Sequence, residues 1–210
     1  MILRNSGRGL SSNLHLYYYC ICFDFMEEKI IESENLYLRK QIKSDVDDQL
    51  LLDSDPDVIK YLRPPKPDRD FYIKNIENIQ NYYERNLGYG VWAAIEKKEG
   101  RFIGWFSLKY IHKSTDVELG YCLLKEYRGK GYATEMSRKV IEYGFNDLKL
   151  NQIFGLTHPD NIISQGILKK LGMHFLEQKD YLGFPTYFYI LDSNNYPSVN
   201  DNIREDLCNY

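Results

Sequence analysis

"KEYRGKGYATE" (residues 125–135) decides how the chain is read. An apolar run, "DVELGYCLL" (116–124), precedes it. A helical pattern follows, in which Ala133, Met136, Val140 and Tyr143 recur on one face. Gly129 and Gly131 therefore sit at a strand-to-helix corner. One reading is a basic surface turn whose glycines only make the corner. The other is a phosphate cradle. A helix N-terminus leaves four N–H groups unpaired and carries partial positive charge, and phosphate oxygens satisfy both. Glycines keep side chains out of the ligand's way and allow successive N–H groups to converge. Ala133 keeps the next near position small, and Arg128 and Lys130 add charge. On these residues alone both readings stand. Rival phosphate motifs fit worse: there is no GxxxxGK[ST], and "RGKGYA" lacks the third glycine of GxGxxG.

Outward from this corner the chain divides into short elements. "ENLYLRKQI" (34–42) alternates like a strand, and "SDVDDQLLLD" (44–53) reads as a short helix with Ser44 as its cap. Pro64, Pro65 and Pro67 make 61–70 a loop. A helix capped by Asp68 or Asp70 then runs to about Asn86, with Ile73, Ile76, Ile79 or Gln80, and Tyr83 at helical spacing. "VWAAIEK" (91–97), "RFIGWFSLKYI" (101–111) and 116–124 form an antiparallel meander. After the glycine corner and its helix, "LNQIFGLTH" (150–158) is a strand. Ile163, Ile167 and Leu171 give a helical stripe ended by Gly172. "MHFLEQKD" and "PTYFYIL" are two last strands, joined near Gly183. The expected product is an α/β domain with a mixed sheet covered by helices.

The 210 residues suit one domain, and no linker divides them. Its expected span is 26–192, with a polar tail over 193–210. Residues 1–25 read as an extension of no function, a packed extra strand or helix, or a membrane or targeting segment; their apolar stretch is too short to cross a bilayer, and no small-residue cleavage site follows it. A formal net charge of −3 disfavours direct nucleic-acid binding. The four cysteines, Cys20, Cys22, Cys122 and Cys208, lack metal-ligand spacing, so no metal is expected. A reducing, cytoplasmic setting is the simplest one.

Four motifs in order carry a resemblance. Arg128-Gly129-Lys130-Gly131-Tyr132-Ala133 matches [Q/R]-x-x-G-x-[G/A]. Before it stands Glu118-Leu119-Gly120-Tyr121. After it come Asn161 and Ser164 in N-x-x-S, then "LKKLGM" (168–173). From about Glu34 to Leu191 the chain resembles the GNAT superfamily of acyl-CoA N-acyltransferases, in its RimJ/RimL-like branch, which acetylates ribosomal-protein N-termini and related amines. That resemblance implies a mixed central sheet of about seven strands, splayed in the middle, with about four flanking helices. It implies acetyl-CoA as co-substrate, its pyrophosphate held by the backbone of Arg128, Gly129, Lys130, Gly131, Tyr132 and Ala133. Pantetheine would pair with the strand end at Cys122, Leu123 and Leu124, and Asn161 would cap a helix and bond pantetheine. Gly120 would mark a bulge in its strand.

The reaction so implied is attack of a neutral amine on the thioester carbonyl, with departure of the CoA thiolate. Glu118 is the candidate base, against the plainer reading of a carboxylate paired with a lysine or arginine. Ser164 inherits a place near the sulfur. The tyrosine that many members carry four residues later is replaced by Leu168, which leaves the general acid open. The acceptor would enter near residues 61–90 and 180–186, where Tyr61, Phe71, Tyr72, Tyr82, Tyr89, Trp92, Trp105 and Phe184 either line a site or fill the core. A protein N-terminal amine leads, and a small-molecule amine stands close behind. A CoA-binding module without transfer is the alternative of another class. A homodimer is compatible with all of these.

Overall fold

The computed structural model describes residues 28–61 and 68–196. The extension over 1–25, the centre of the proline loop and the tail beyond 196 lie outside the described residues. The strands are β1 (Lys29–Glu32), β2 (Leu36–Arg39), β3 (Gly90–Glu96), β4 (Arg101–Tyr110), β5 (Val117–Leu123), β6 (Gln152–Thr157), β7 (His174–Tyr181) and β8 (Phe184–Asp192). The helices are α1 (Val46–Ser54), α2 (Pro56–Ile59), α3 (Arg69–Arg85), α4 (Tyr132–Asn146) and α5 (Ile162–Lys170). One sheet in the order β1-β2-β3-β4-β5-β6-β8-β7 carries them all. Eight strands replace the seven expected. The added β1 is four residues at an edge, too short for its alternation to register.

Alternation along β5 sorts the two faces of the sheet. Leu119 and Leu123 join Met136, Val140 and Ile141 of α4 and Leu168 of α5 in one cluster. Cys122 and Leu124 join Leu52 of α1 and Val58 and Ile59 of α2 in another. Full burial of a side chain such as Met136 or Val140 contributes about 1.5–3 kcal/mol, and both are 0% exposed. That packing fixes α4, and with it the glycine corner at its start. Glu135, the last residue of the opening stretch, adds a second tie. Its carboxylate accepts from Asn35 N (2.8 Å) and Asn35 Nδ2 (3.0 Å) at the β1–β2 turn.

Every neighbouring pair in the sheet is antiparallel except β5–β6. Those two run parallel and pair only at Glu118↔Phe154 and Leu119↔Gly155. Beyond Leu119 they part, so the splayed middle is present. Gly120, however, is in regular register with Ser107. The irregularity lies in the next pair, where Ile95 faces Phe102 and Ala94 faces Gly104. Gly104 has φ +147°, and a Cβ there would stand 2.0 Å from the Cys122 carbonyl oxygen. The close approach of β4 to β5 thus requires glycine at 104; the bulge expected at Gly120 is absent from β5, and this one lies in β4 against β3.

Other expectations shift for equally local reasons. Asp45, not Ser44, precedes α1, and its carboxylate does not cap the helix. It instead takes both arms of Arg39 at 2.7 Å in a buried bidentate pair. The α5 stripe loses its first member: Ile163 is 79% exposed, while Ile167 packs on the core and Leu168 and Leu171 are buried. Ser193–Asn195 form a 3-10 turn, and Tyr196 packs on Phe145 with ring centroids 5.4 Å apart. These four residues belong to the folded body rather than to the tail. Asp68 does cap α3, accepting from Asp70 N at 3.0 Å.

Candidate active site

The glycine corner has the backbone geometry that an anion cradle needs. Gly129 and Gly131 have φ +76° and +85°, a region costly for residues with a Cβ, and a Cβ at either would meet nothing within 4 Å. Packing therefore does not explain the glycines. The backbone conformation does, together with open space in front of the helix. Gly131 is the N-cap of α4, and no side chain caps it. The first-turn N–H groups of α4 face outward without the usual Ser, Thr or Asp partner. The residues present therefore fit a polyanion held by main-chain donors.

The charged neighbours have defined directions. Arg128 turns back along the chain: its Nε donates to Leu123 O at 3.0 Å and its Nη1 to Asp57 O at 3.3 Å. It locks the end of β5 to α2. Lys130 lies over the Tyr127 ring, its Nζ 4.9 Å from the centroid. Lys125 pairs with Asp57 at 3.0 Å. Leu124 N donates to Ile103 O at 2.9 Å. The main-chain groups at Leu123 O and Leu124 N are thus already engaged within the protein, and of the strand end only part is left to pair with an extended ligand.

From Leu123 back to Leu119 the unpaired edge of β5 runs four residues, about 13 Å, and Gly155–Thr157 of β6 form the opposite wall. At the α5 side of this slot stands a pair of hydroxyls. Tyr121 Oη lies 3.1 Å from Ser164 Oγ. Asn161 caps α5 by accepting from Ser164 N at 3.1 Å, which sets the serine's direction. Burial pushes the Tyr121 phenol up to about 12, against a smaller lowering by Ser164. Leu168 is 1% exposed and packs against Gly155. The phenol nearest Ser164 is thus that of Tyr121 on β5, a contact that sequence spacing could not assign because the two residues meet only across the slot.

Glu118 lies on the opposite face of β5, beside Cys122's face and away from Tyr121. It is directly across from Lys109 and in ion-pair contact with it. Ser107 and Gly120 form the next row toward the slot's open end. Ser107 Oγ is buried without a hydrogen-bond partner, and a Cβ on Gly120 would come within 2.6 Å of it. Tyr82 of α3 accepts from Tyr110 N at 3.0 Å, and the Tyr89 and Tyr110 rings lie 4.8 Å apart. Of the aromatic candidates, Tyr72 and Trp92 are core side chains, 1% and 2% exposed. Tyr61 stacks on His158 and donates to Asp160 O at 3.2 Å, while His158 Nδ1 accepts from Asp160 N. His158 therefore serves the bend after β6. Cys122 is buried in the α1 face.

Residues 35–174 match the family model described as an acetyltransferase (GNAT) domain. The chain belongs to the GNAT family. It is similar to the uncharacterized protein YkkB of Bacillus subtilis, 32% identical over 130 residues, which is 60% of this chain and 73% of that protein. Its fold is shared by the ribosomal-protein-S5-alanine acetyltransferase of Vibrio fischeri, with TM-score 0.63, 17% identity and coverage of 80% and 98% of the two chains. It is shared equally by the spermidine N-acetyltransferase of Vibrio cholerae in complex with CoA and spermine, with TM-score 0.64, 16% identity and coverage of 77% and 98%. This GNAT chain is accordingly an acyl-CoA-dependent N-acetyltransferase that uses acetyl-CoA as co-substrate. No described helix is long and apolar enough to cross a membrane.

Proposed function

We propose that the chain acetylates a single primary amine, in the first instance a protein N-terminal amine, from acetyl-CoA bound in the β5–β6 slot. The observation that carries this is the pairing of Glu118 with Lys109. A polyamine acceptor calls for a surplus of carboxylates, and here the one at the inner end of the slot already has a cation. The same fold serves a ribosomal-protein acetyltransferase and a spermidine acetyltransferase, so the fold does not choose between them.

Acetyl-CoA supplies an acyl group activated as a thioester. The chain supplies the rest. Main-chain N–H groups of Gly129 to Ala133 hold the phosphates, and Asn161 and the edge of β5 beyond Leu119 that β6 leaves unpaired hold the arm. Holding both reactants in register supplies much of the rate. Glu118, on one face of β5, takes the proton from the incoming ammonium. The Tyr121–Ser164 pair, on the other face, returns a proton to the departing sulfur. A phenol raised to about 12 stays protonated at neutral pH, as a donor must.

An acceptor screen tests the proposal. The protein is mixed with acetyl-CoA and, separately, peptides with free N-termini, N-blocked lysine peptides and spermidine, while free thiol and product mass are followed. Acetylation of the free-N-terminus peptides, several-fold faster than of the others, is expected. Preference for spermidine overturns the acceptor class. Tight CoA binding without thiol release for any acceptor favours a binding module.

A further inference from the structure

The amine nearest the candidate base belongs to the chain itself. Lys109 and Glu118 are direct partners across the β4–β5 ladder, and the Lys109 ammonium contacts Glu118 Oε1. Their side chains are 35% and 13% exposed, so the pair borders solvent. Glu118 is one residue before Leu119, the last partner of β6. The pair therefore stands at the inner end of the slot, within one alternation of the strand, about 7 Å. The Tyr82 phenol, raised first by its burial, is near enough for the charges of both Lys109 and Glu118 to act on it, and Phe154 of β6 stands directly across from Glu118. Lys109 is the more open partner, so its ammonium can leave Glu118 for water without unfolding the strand pair.

We propose that Lys109 is a self-acetylation site. The inference rests on the reading of Glu118 as the base and of the slot as the acetyl-CoA seat. Glu118 takes a proton from the Lys109 ammonium, and the freed Nζ lone pair attacks the acetyl carbonyl carbon. The N–C bond forms, the C–S bond breaks, and its electron pair leaves with the CoA sulfur. Of the two protons the nitrogen sheds, one goes to that sulfur and the other passes from Glu118 to solvent. The products are an amide on Lys109 and the CoA thiol. The amide carries no charge, so Glu118 loses its resident cation and becomes available to the ammonium of an external acceptor. Unmodified Lys109 competes with that acceptor for the carboxylate.

The test is a time course of the full chain with acetyl-CoA and no acceptor, digested and mapped by mass spectrometry. Lys40 and Lys125 are internal references, since their side chains, 56% and 66% exposed, are more open than Lys109. Adventitious acetylation follows exposure and marks them first. The expected result is occupancy at Lys109 at least about tenfold above both, reduced to their level in Glu118→Gln. Lys109→Arg, which keeps the counter-ion, should leave the chain one acetyl group lighter at the plateau. Occupancy of Lys109 at or below the references, or unchanged by Glu118→Gln, overturns the inference. Calorimetric CoA binding on the same preparation separates the failures: a chain that binds CoA yet leaves Lys109 unmodified refutes only this step, and a chain that binds no CoA refutes the slot itself.

Discussion

Replacing Gly131 by Asp isolates the cradle from the fold. At φ +85° and ψ −11° a non-glycine residue costs about 1–2 kcal/mol, and Asp is among the residues that tolerate this region best. Its Cβ meets nothing within 4 Å, so no clash adds to that cost. Its carboxylate can cap the bare N-terminus of α4, which stabilises by about 1 kcal/mol. The two terms nearly offset, and the melting temperature should move by no more than about 4 °C. CoA binding should respond very differently. The new carboxylate takes the same N–H groups the phosphates need and repels them. One unit charge about 4 Å away costs about 1 kcal/mol in water and about 4 kcal/mol at a surface dielectric. That is a loss of about fivefold to several hundredfold in affinity. Isothermal titration with CoA measures it. Gly100→Asp is the control, since Gly100 is also left-handed, at φ +67°, with nothing within 4 Å, but lies in the β3–β4 turn. A folded Gly131→Asp protein that binds CoA within twofold of the parent would refute the cradle.

Glu118→Gln should lower turnover at least about 100-fold while CoA affinity changes by less than threefold; an unaltered rate–pH profile in that variant removes Glu118 as the base. Tyr121→Phe should reduce turnover by about 10-fold or more and leave CoA affinity intact, as read by steady-state kinetics beside calorimetry. The phenols also set an alkaline limit to stability. Tyr121 and Tyr196 titrate at about 12 in the folded chain, raised mainly by burial, against about 10 unfolded. Their contribution is whole below pH 10 and is lost as pH rises from about 10 to 12. Denaturation followed by circular dichroism should show that fall, and Tyr121→Phe should flatten it. Asp45→Ala removes the carboxylate that balances the buried Arg39 charge, in a site where the two side chains are 8% and 3% exposed. It should cost about 3–5 kcal/mol, seen as a lowered urea midpoint.

Local chemistry made much of this site readable before folding. "RGKGYA" carries its own positive-φ glycines and its helix start, so the cradle is contained in six consecutive residues. The meander over 91–124 is legible because each strand alternates and each turn carries its own polar break. What escaped depends on contacts between distant residues. Tyr121 and Ser164 are 43 positions apart, and nothing in either neighbourhood announces that their hydroxyls meet. The bulge at Gly120 is implied by the family resemblance alone, and the β4–β5 register is regular there. The approach of the Cys122 carbonyl to Gly104 shows only in the folded sheet. Asp45 looked like part of an acidic first turn, and a buried arginine six residues earlier claimed it instead. Glu118 was legible as a carboxylate on the slot strand, but its pairing with Lys109 needed the β4–β5 register.

A crystal structure of the chain with CoA bound tests the central claim most directly. The account predicts the diphosphate against the main-chain N–H groups of Gly129–Ala133, the arm between Leu119–Leu123 and Gly155–Thr157, and the sulfur on the Tyr121–Ser164 side of the slot. CoA bound elsewhere, or a slot closed by β5–β6 pairing beyond Leu119, would contradict it.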